Sequence, residues 1–105
     1  MDAMAPRNVN NTPFREELPR LLATRGESLR SVASAVGGLD HAYLSRMISG
    51  KTSVNPSHAE RIAVHLGLEA DYFPEVREAA VIAAIRRSAK LRDSIYFTHV
   101  RRARA

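Results

Sequence analysis

SLRSVASAVGGLDHAYLSRMISGK, the stretch of residues 28–51, decides the fold of this chain. Ser28 and Asp40 are preferred helix N-cap residues, and each precedes apolar residues at helical spacing. The residues predicted to face inward are Leu29, Val32, Ala33, Val36, Leu44, Met47 and Ile48. Gly37 and Gly38 separate the two patterns, and glycine permits the positive φ of a sharp turn. The stretch therefore predicts two short helices joined by a glycine-containing turn.

Helices are also predicted on both sides of this stretch. Thr12 and Pro13 are the predicted cap and first residue of a first helix, within which Pro19 predicts a kink or a later start. Asn55 and Pro56 are the predicted cap and first residue of a fourth helix. The inward-facing residues of these two helices are Phe14, Leu18, Leu21, Leu22, Ala59, Ile62, Ala63 and Leu66.

The C-terminal part of the chain predicts one long last helix over residues 70–96, interrupted or initiated near Pro74. Residues 79–85 are apolar on every side of this helix, so we expect the rest of the domain or a second subunit to cover them. The side of this helix expected to be buried contains Val81, Ile85, Leu91 and Ile95. Because no segment alternates with period two, we expect an all-α fold.

Composition bounds the class of protein. A chain of 105 residues fits one domain, and the absence of cysteine excludes disulfides, thiolate zinc sites and thiol nucleophiles. Residues 1–11 lack an apolar run and predict a flexible arm, with no signal peptide or membrane anchor. We therefore expect a cytoplasmic protein.

Positive charge is concentrated at the C-terminal end. The formal net charge is +5, and residues 76–105 contain eight Lys or Arg against two Asp or Glu. Such an excess favours polyanionic partners without choosing among them. For Arg86, Arg87, Lys90 and Arg92 we favour the solvated side of the last helix over a contact with a DNA backbone. Arg101, Arg102 and Arg104 are expected to form a disordered end that adds non-specific affinity.

The chain resembles the phage-repressor-like (XRE) helix-turn-helix family, which includes lambda-type repressors and Cro proteins. The resemblance covers about residues 14–73 and rests on the opening stretch together with Asn55-Pro56-Ser57, Ile62-Ala63, Leu66-Gly67-Leu68 and Tyr72-Phe73. It implies an all-α, five-helix lambda-repressor-like DNA-binding domain with an extended C-terminal helix. The resulting expectation is an arm over residues 1–11, a DNA-binding domain over 12–73, and a helix over 74–105 that dimerises and ends in a basic tail.

The resemblance also implies which residues contact double-stranded DNA. The positions of the family's base-reading residues are occupied by His41, Ala42, Ser45 and Arg46. The positions of its phosphate contacts are occupied by Ser28, Arg30, Tyr43, Ser49, Lys51 and Thr52, and packing against the second helix is an alternative for Tyr43. Arg46 is the strongest candidate because a guanidinium can bond guanine O6 and N7 together, while Ala42 is able to touch a thymine methyl group.

Three departures from the family pattern concern the docking of the third helix on DNA. The turn between Gly37 and Asp40 is one residue longer than usual. Leu29 occupies a position where many members have a phosphate-bonding glutamine, and leucine has no donor. The connection from Lys51 to Asn55 is also longer than the common one.

The resemblance predicts a transcriptional regulator, and we expect a repressor that acts as a homodimer on a DNA operator. The alternative is an interaction module such as an antitoxin, whose last helix or arm binds a protein partner. The sequence has no Ser-His-Asp order, paired carboxylates or phosphate-binding glycine loop, so we expect no enzyme and no cofactor. No metal site is expected at the four histidines, which are predicted on the surface at His41, His58, His65 and His99.

Overall fold

A computed structural model of the chain describes residues 9–101, and every regular element in this range is helical. The α-helices of the described range are α1 (Phe14–Arg25), α2 (Leu29–Val36), α3 (His41–Ser49), α4 (Pro56–His65), α5 (Pro74–Arg87) and α6 (Ala89–Ile95), followed by a π-helical turn (Tyr96–Val100). The all-α prediction is confirmed. Most of the expected arm and the end of the basic tail, Arg102 and Arg104 included, lie outside the described residues.

The core lies between α1, α2, α3 and α4 and is closed by the residues that precede α5. The predicted inner positions of α1 and α4 are all buried, and so are Val32 and Ala33 of α2 and Leu44 and Met47 of α3. Phe73 completes this core, with its ring centroid 4.8 Å from that of Phe14 in an edge-to-face arrangement. Helical periodicity thus placed most of the core, while Leu29, Val36 and Ile48, which were also predicted to face inward, are partly buried against it.

The start of α1 differs from the prediction. Pro13, not Thr12, is the N-cap residue, and it provides no side-chain hydrogen bond. The amide of Phe14 donates instead to the Glu75 carboxylate in the first turn of α5, at 3.0 and 3.2 Å. Pro19 lies on an exposed position and neither ends α1 nor delays its start. A carboxylate on a distant helix therefore does what a local cap would do.

The residues before α1 are bonded to the junction between α4 and α5. The amide of Asn10 donates to the carbonyl of Tyr72 at 3.0 Å. The Arg77 guanidinium donates to the carbonyls of Asn10 at 2.8 Å and Tyr72 at 2.9 Å. The first turn of α5 consequently holds the chain that enters α1.

The C-terminal segment forms two helices, α5 and α6, so the prediction of one continuous helix is wrong. It begins at Pro74, as one of the two expected options, but it divides at Ser88, whose backbone is extended (φ −137°, ψ 104°). The Ser88 hydroxyl accepts the amide of Leu91 at 3.1 Å and so caps α6. Serine competes with the helical backbone through such local bonds, which explains the break.

The expected burial of the C-terminal helix is also wrong within this chain. Neither α5 nor α6 contains a buried residue. Val81 is 55% exposed and Leu91 is 41% exposed, and Ile85 and Ile95 are partly exposed. Residues 79–85 are therefore only partly covered by the rest of this chain, and cover by a second subunit stays a prediction. None of the helices in residues 9–101 is both long and apolar enough to span a bilayer.

Glu17 is an ionisable side chain inside the core region that the sequence pattern did not reveal. It is 1% exposed, accepts the Tyr72 hydroxyl at 2.6 Å, and is paired with Arg20 on the same helix. The hydrogen bond from Arg20, helped by that from Tyr72, holds the pKa of Glu17 below its usual value against the opposing effect of burial. Burial and the nearby Glu17 raise the pKa of Tyr72.

We expect Glu17→Gln to lower the free energy of unfolding by about 1 kcal/mol at neutral pH, since Arg20 is exposed and loses only a screened partner. Because the pKa of Glu17 is depressed in the folded state, its contribution is present above the pKa of an unfolded glutamate, about 4.3, and is lost as the pH falls through the folded value. Urea unfolding of wild type and variant, followed by circular dichroism at pH 7 and below pH 4, measures both effects. The exposed Glu16→Gln is the control. Equal acid sensitivity of wild type and Glu17→Gln would contradict this assignment.

Candidate nucleic-acid interface

The α2 helix begins with a reciprocal cap. The Ser28 hydroxyl accepts the amide of Ser31 at 3.0 Å, and the Ser31 hydroxyl accepts the amide of Ser28 at 3.2 Å. This arrangement satisfies amides that the helix itself leaves without partners. Val32 and Ala33, both buried, hold the inner side of α2 in the core.

The turn between α2 and α3 depends on two successive glycines. Gly37 has φ 79° and ψ 150°, and Gly38 has φ 71°. Side chains with a Cβ rarely adopt these angles, so the predicted need for glycine at both positions is confirmed. The guanidinium of Arg61 on α4 donates hydrogen bonds to the carbonyls of Val36 and Gly37, at 2.9 and 2.7 Å.

The α3 helix is fixed at its start and along its inner side. The Asp40 carboxylate accepts the amide of Tyr43 at 2.7 Å, as expected of an N-cap. Leu44 is fully buried and Met47 is 1% exposed. These contacts determine which side of α3 faces outward.

The four candidate base-reading residues share the outer side of α3. His41, Ala42 and Arg46 are exposed, and Ser45 is partly exposed. Residues one, four and five positions apart lie on one broad side of an α-helix, so the structure brings the four together. An α-helix that presents such a side has the dimensions to enter a major groove.

Tyr43 connects the outer side of α3 to α4. Its hydroxyl lies 3.1 Å from Nδ1 of His58, and the two rings meet edge to face with centroids 5.3 Å apart. The Arg46 guanidinium carbon lies 5.9 Å from the centre of the Tyr43 ring. Tyr43 is thus partly buried against the core and contacts α4 through His58.

The remaining candidate phosphate contacts lie at two places in the fold. Ser28 and Arg30 are exposed at the start of α2. Ser49 and Lys51 are exposed at the end of α3, where Thr52 is partly exposed. The amides of Lys51 and Thr52 both donate to the carbonyl of Arg46, so their side chains rather than their amides are available to a ligand.

His58 and Arg61 are residues of this site that the sequence interpretation missed. They lie three positions apart on α4, which places them on neighbouring parts of one helix face. His58 contacts Tyr43 of α3, and Arg61 contacts the turn before α3. Their spacing on an amphipathic helix resembles that of ordinary surface residues, so the sequence carries no signal of either contact. Residues 9–101 contain no cluster of side chains suited to a metal ion.

Comparison with known families agrees with this geometry. The family model described as helix-turn-helix matches residues 22–73, which include α2, α3 and α4. These residues belong to the helix-turn-helix family of lambda-repressor and Cro type, and they form a DNA-binding domain. The resemblance inferred from the sequence is therefore confirmed. No curated protein and no solved structure matches the chain significantly.

The cap of α3 can be tested by substitution. We expect Asp40→Ala to lower the free energy of unfolding by about 1 kcal/mol, because the amide of Tyr43 loses its acceptor. Asp40→Asn should retain most of the wild-type stability, since asparagine is an equally good N-cap. Urea unfolding followed by circular dichroism measures both variants. If both lost the same stability, the negative charge rather than the capping bond would be responsible.

Proposed function

We propose that this chain regulates transcription by binding a duplex DNA operator in a sequence-selective way, with α3 in the major groove. The observation that carries the proposal is the division of α3 into two sides. Leu44 and Met47 are buried, while His41, Ala42 and Arg46 face outward. This arrangement, in a chain segment of the helix-turn-helix family, offers side chains to base edges without disturbing the core.

Arg46 is the proposed main base reader. A guanidinium can donate two parallel hydrogen bonds to guanine O6 and N7, which gives roughly 1–3 kcal/mol of discrimination against another base. The nearby Tyr43 ring limits the positions that this long side chain can take. Ala42 is proposed to contact a thymine methyl group, and His41 and Ser45 to bond base edges.

The proposed phosphate contacts set the register of the domain on DNA. Ser28 and Arg30 lie at the start of α2, where the helix dipole favours an anion. Ser49 is the last residue of α3, and Lys51 and Thr52 follow that helix. Contacts of this kind carry no sequence information but orient the base-reading side. Repression would then follow from occupation of the operator, which excludes polymerase from the same DNA.

The exposed apolar surface of α5 supports a homodimer. Val81 is 55% exposed and Ile82 is 36% exposed, and no residue of α5 is buried. A second copy is a suitable cover because it would place two α3 helices on one duplex, with half-sites about 34 Å apart. A near-palindromic operator would then mirror the two-fold symmetry of the protein.

The alternative proposal is an antitoxin or related protein-interaction module, and the end of the described chain favours it. Tyr96, Phe97 and Val100 are 42%, 52% and 43% exposed, and the Arg101 guanidinium lies 5.4 Å from the centre of the Phe97 ring. Exposed aromatic and arginine side chains are enriched in protein interfaces.

Selection of bound duplexes from a random DNA pool tests the proposed function. Wild type should enrich one motif, and Arg46→Ala should lose the preference at one base position by roughly fivefold or more, because the guanine contact is absent. Arg30→Ala is the matched control: it should weaken all sequences alike and reduce the dependence of log affinity on log salt by about one.

One result of the duplex selection would contradict the proposed function. If wild type enriched no motif and modest salt abolished all binding, the attraction to DNA would be non-specific charge, and the proposal of sequence-selective regulation would fail.

Sedimentation of the free protein tests the homodimer. We expect wild type to be dimeric at low micromolar concentration and Val81→Asp to be monomeric, because a charge would be buried without a partner. The control is Val64→Asp on α4, since Val64 is exposed to a similar extent, 58%, but lies on another helix. A monomeric wild type, or a dimer that both variants retain, would contradict the proposed interface.

A further inference from the structure

We propose that Arg61 is a positioning residue for base recognition: from α4 it fixes the long turn before α3 and so determines which bases α3 reads. This inference rests on the proposed function. Arg61 itself is not proposed to touch DNA. Its role would be to set the entry of α3 into the major groove through the backbone of the turn.

The contact is specific in its geometry. Nη2 of Arg61 donates to the carbonyl of Val36 at 2.9 Å and to that of Gly37 at 2.7 Å. A Cβ placed on Gly38 would lie 3.8 Å from both Nη1 and Nη2. The guanidinium therefore lies against three consecutive residues of the turn backbone.

The turn needs such a contact for two physical reasons. Carbonyls at the end of α2 have no partner within the helix, and a cation there opposes the negative end of the helix dipole. Gly37 and Gly38 also have wide conformational freedom, since neither carries a Cβ, and both adopt a positive φ. A side chain from outside the turn restricts that freedom.

Arg61 links the turn to a part of α4 that is held in the core. Its neighbours Ala59, Ile62 and Ala63 on α4 are fully buried, so the backbone that carries Arg61 is fixed. The first residue of α3, His41, follows Gly38 by only three positions. A change in the turn therefore moves the start of α3 first, where His41 and Ala42 would meet the bases. Hydrogen bonds tolerate only a few tenths of an ångström of such displacement.

The decisive variant is Arg61→Met, which keeps a long apolar stem and removes every donor. Arg61→Ala is a second variant, and Arg25→Met, at an exposed arginine in the last turn of α1, is the matched control. Duplex selection from a random pool, the salt dependence of binding and urea unfolding are measured for all of them. We expect both Arg61 variants to fold, to keep the wild-type salt dependence, and to change the selected bases, with roughly a fivefold or greater loss of discrimination at one or more positions.

Two results would overturn the inference. An unchanged motif with uniformly weaker binding and a salt dependence lower by about one would make Arg61 a phosphate contact. An unchanged motif with lower stability alone would make it a structural residue.

A measurement without DNA separates this inference from the proposed function. The amides of Gly37 and Tyr43 are bonded to Ala33 and Asp40 at the two ends of the turn. In Arg61→Met, but not in Arg25→Met, we expect their hydrogen exchange to accelerate about fivefold or more relative to amides of α1 and α4. Unchanged exchange would overturn the inference even if wild type selects a motif. Accelerated exchange in a protein that selects no motif would locate the failure in the proposed function.

Discussion

The burial of Leu44 and Met47 is the constraint on which the outer side of α3 depends. A nine-residue helix has little stability of its own, so these two side chains, with the Asp40 cap, give α3 both its structure and its direction. Because the inner side is fixed in the core, the outer side can carry polar and charged residues without a cost in packing. Stability and recognition are therefore assigned to opposite sides of the same short helix.

Local patterns allowed much of this fold to be predicted from the sequence. Apolar residues at helical spacing predicted the buried positions of α1 and α4, and Ser28, Asp40 and Asn55 predicted where three helices begin. Each of these features depends on residues within about one helical turn. The positive φ of Gly37 and Gly38 was predictable for the same reason.

Contacts between distant segments were not predictable in this way. Glu17 lies on the inner side of α1, three residues after Phe14 and four before Leu21, but its polar partner there, Tyr72, is 55 residues away in the sequence. Arg61 reaches a turn 24 residues earlier in the chain. The break at Ser88 was a local signal that was outweighed by the apolar residues expected on one side of a continuous helix, Ile85 before it and Leu91 and Ile95 after it. Family resemblance assigned the outer side of α3 to DNA, but the contacts from α4 that support this side required the structure.

The bond between Phe14 and Glu75 has a consequence for synthesis of the chain. The first helix obtains its N-terminal acceptor from a carboxylate 61 residues later. A ribosome adds residues from the N-terminus onward, so all of α1 is synthesised before Glu75. The earliest helix to be synthesised therefore obtains its N-terminal acceptor only once the first turn of α5 has been made. Until Glu75 has been made, the N-terminus of α1 in the nascent domain lacks this acceptor.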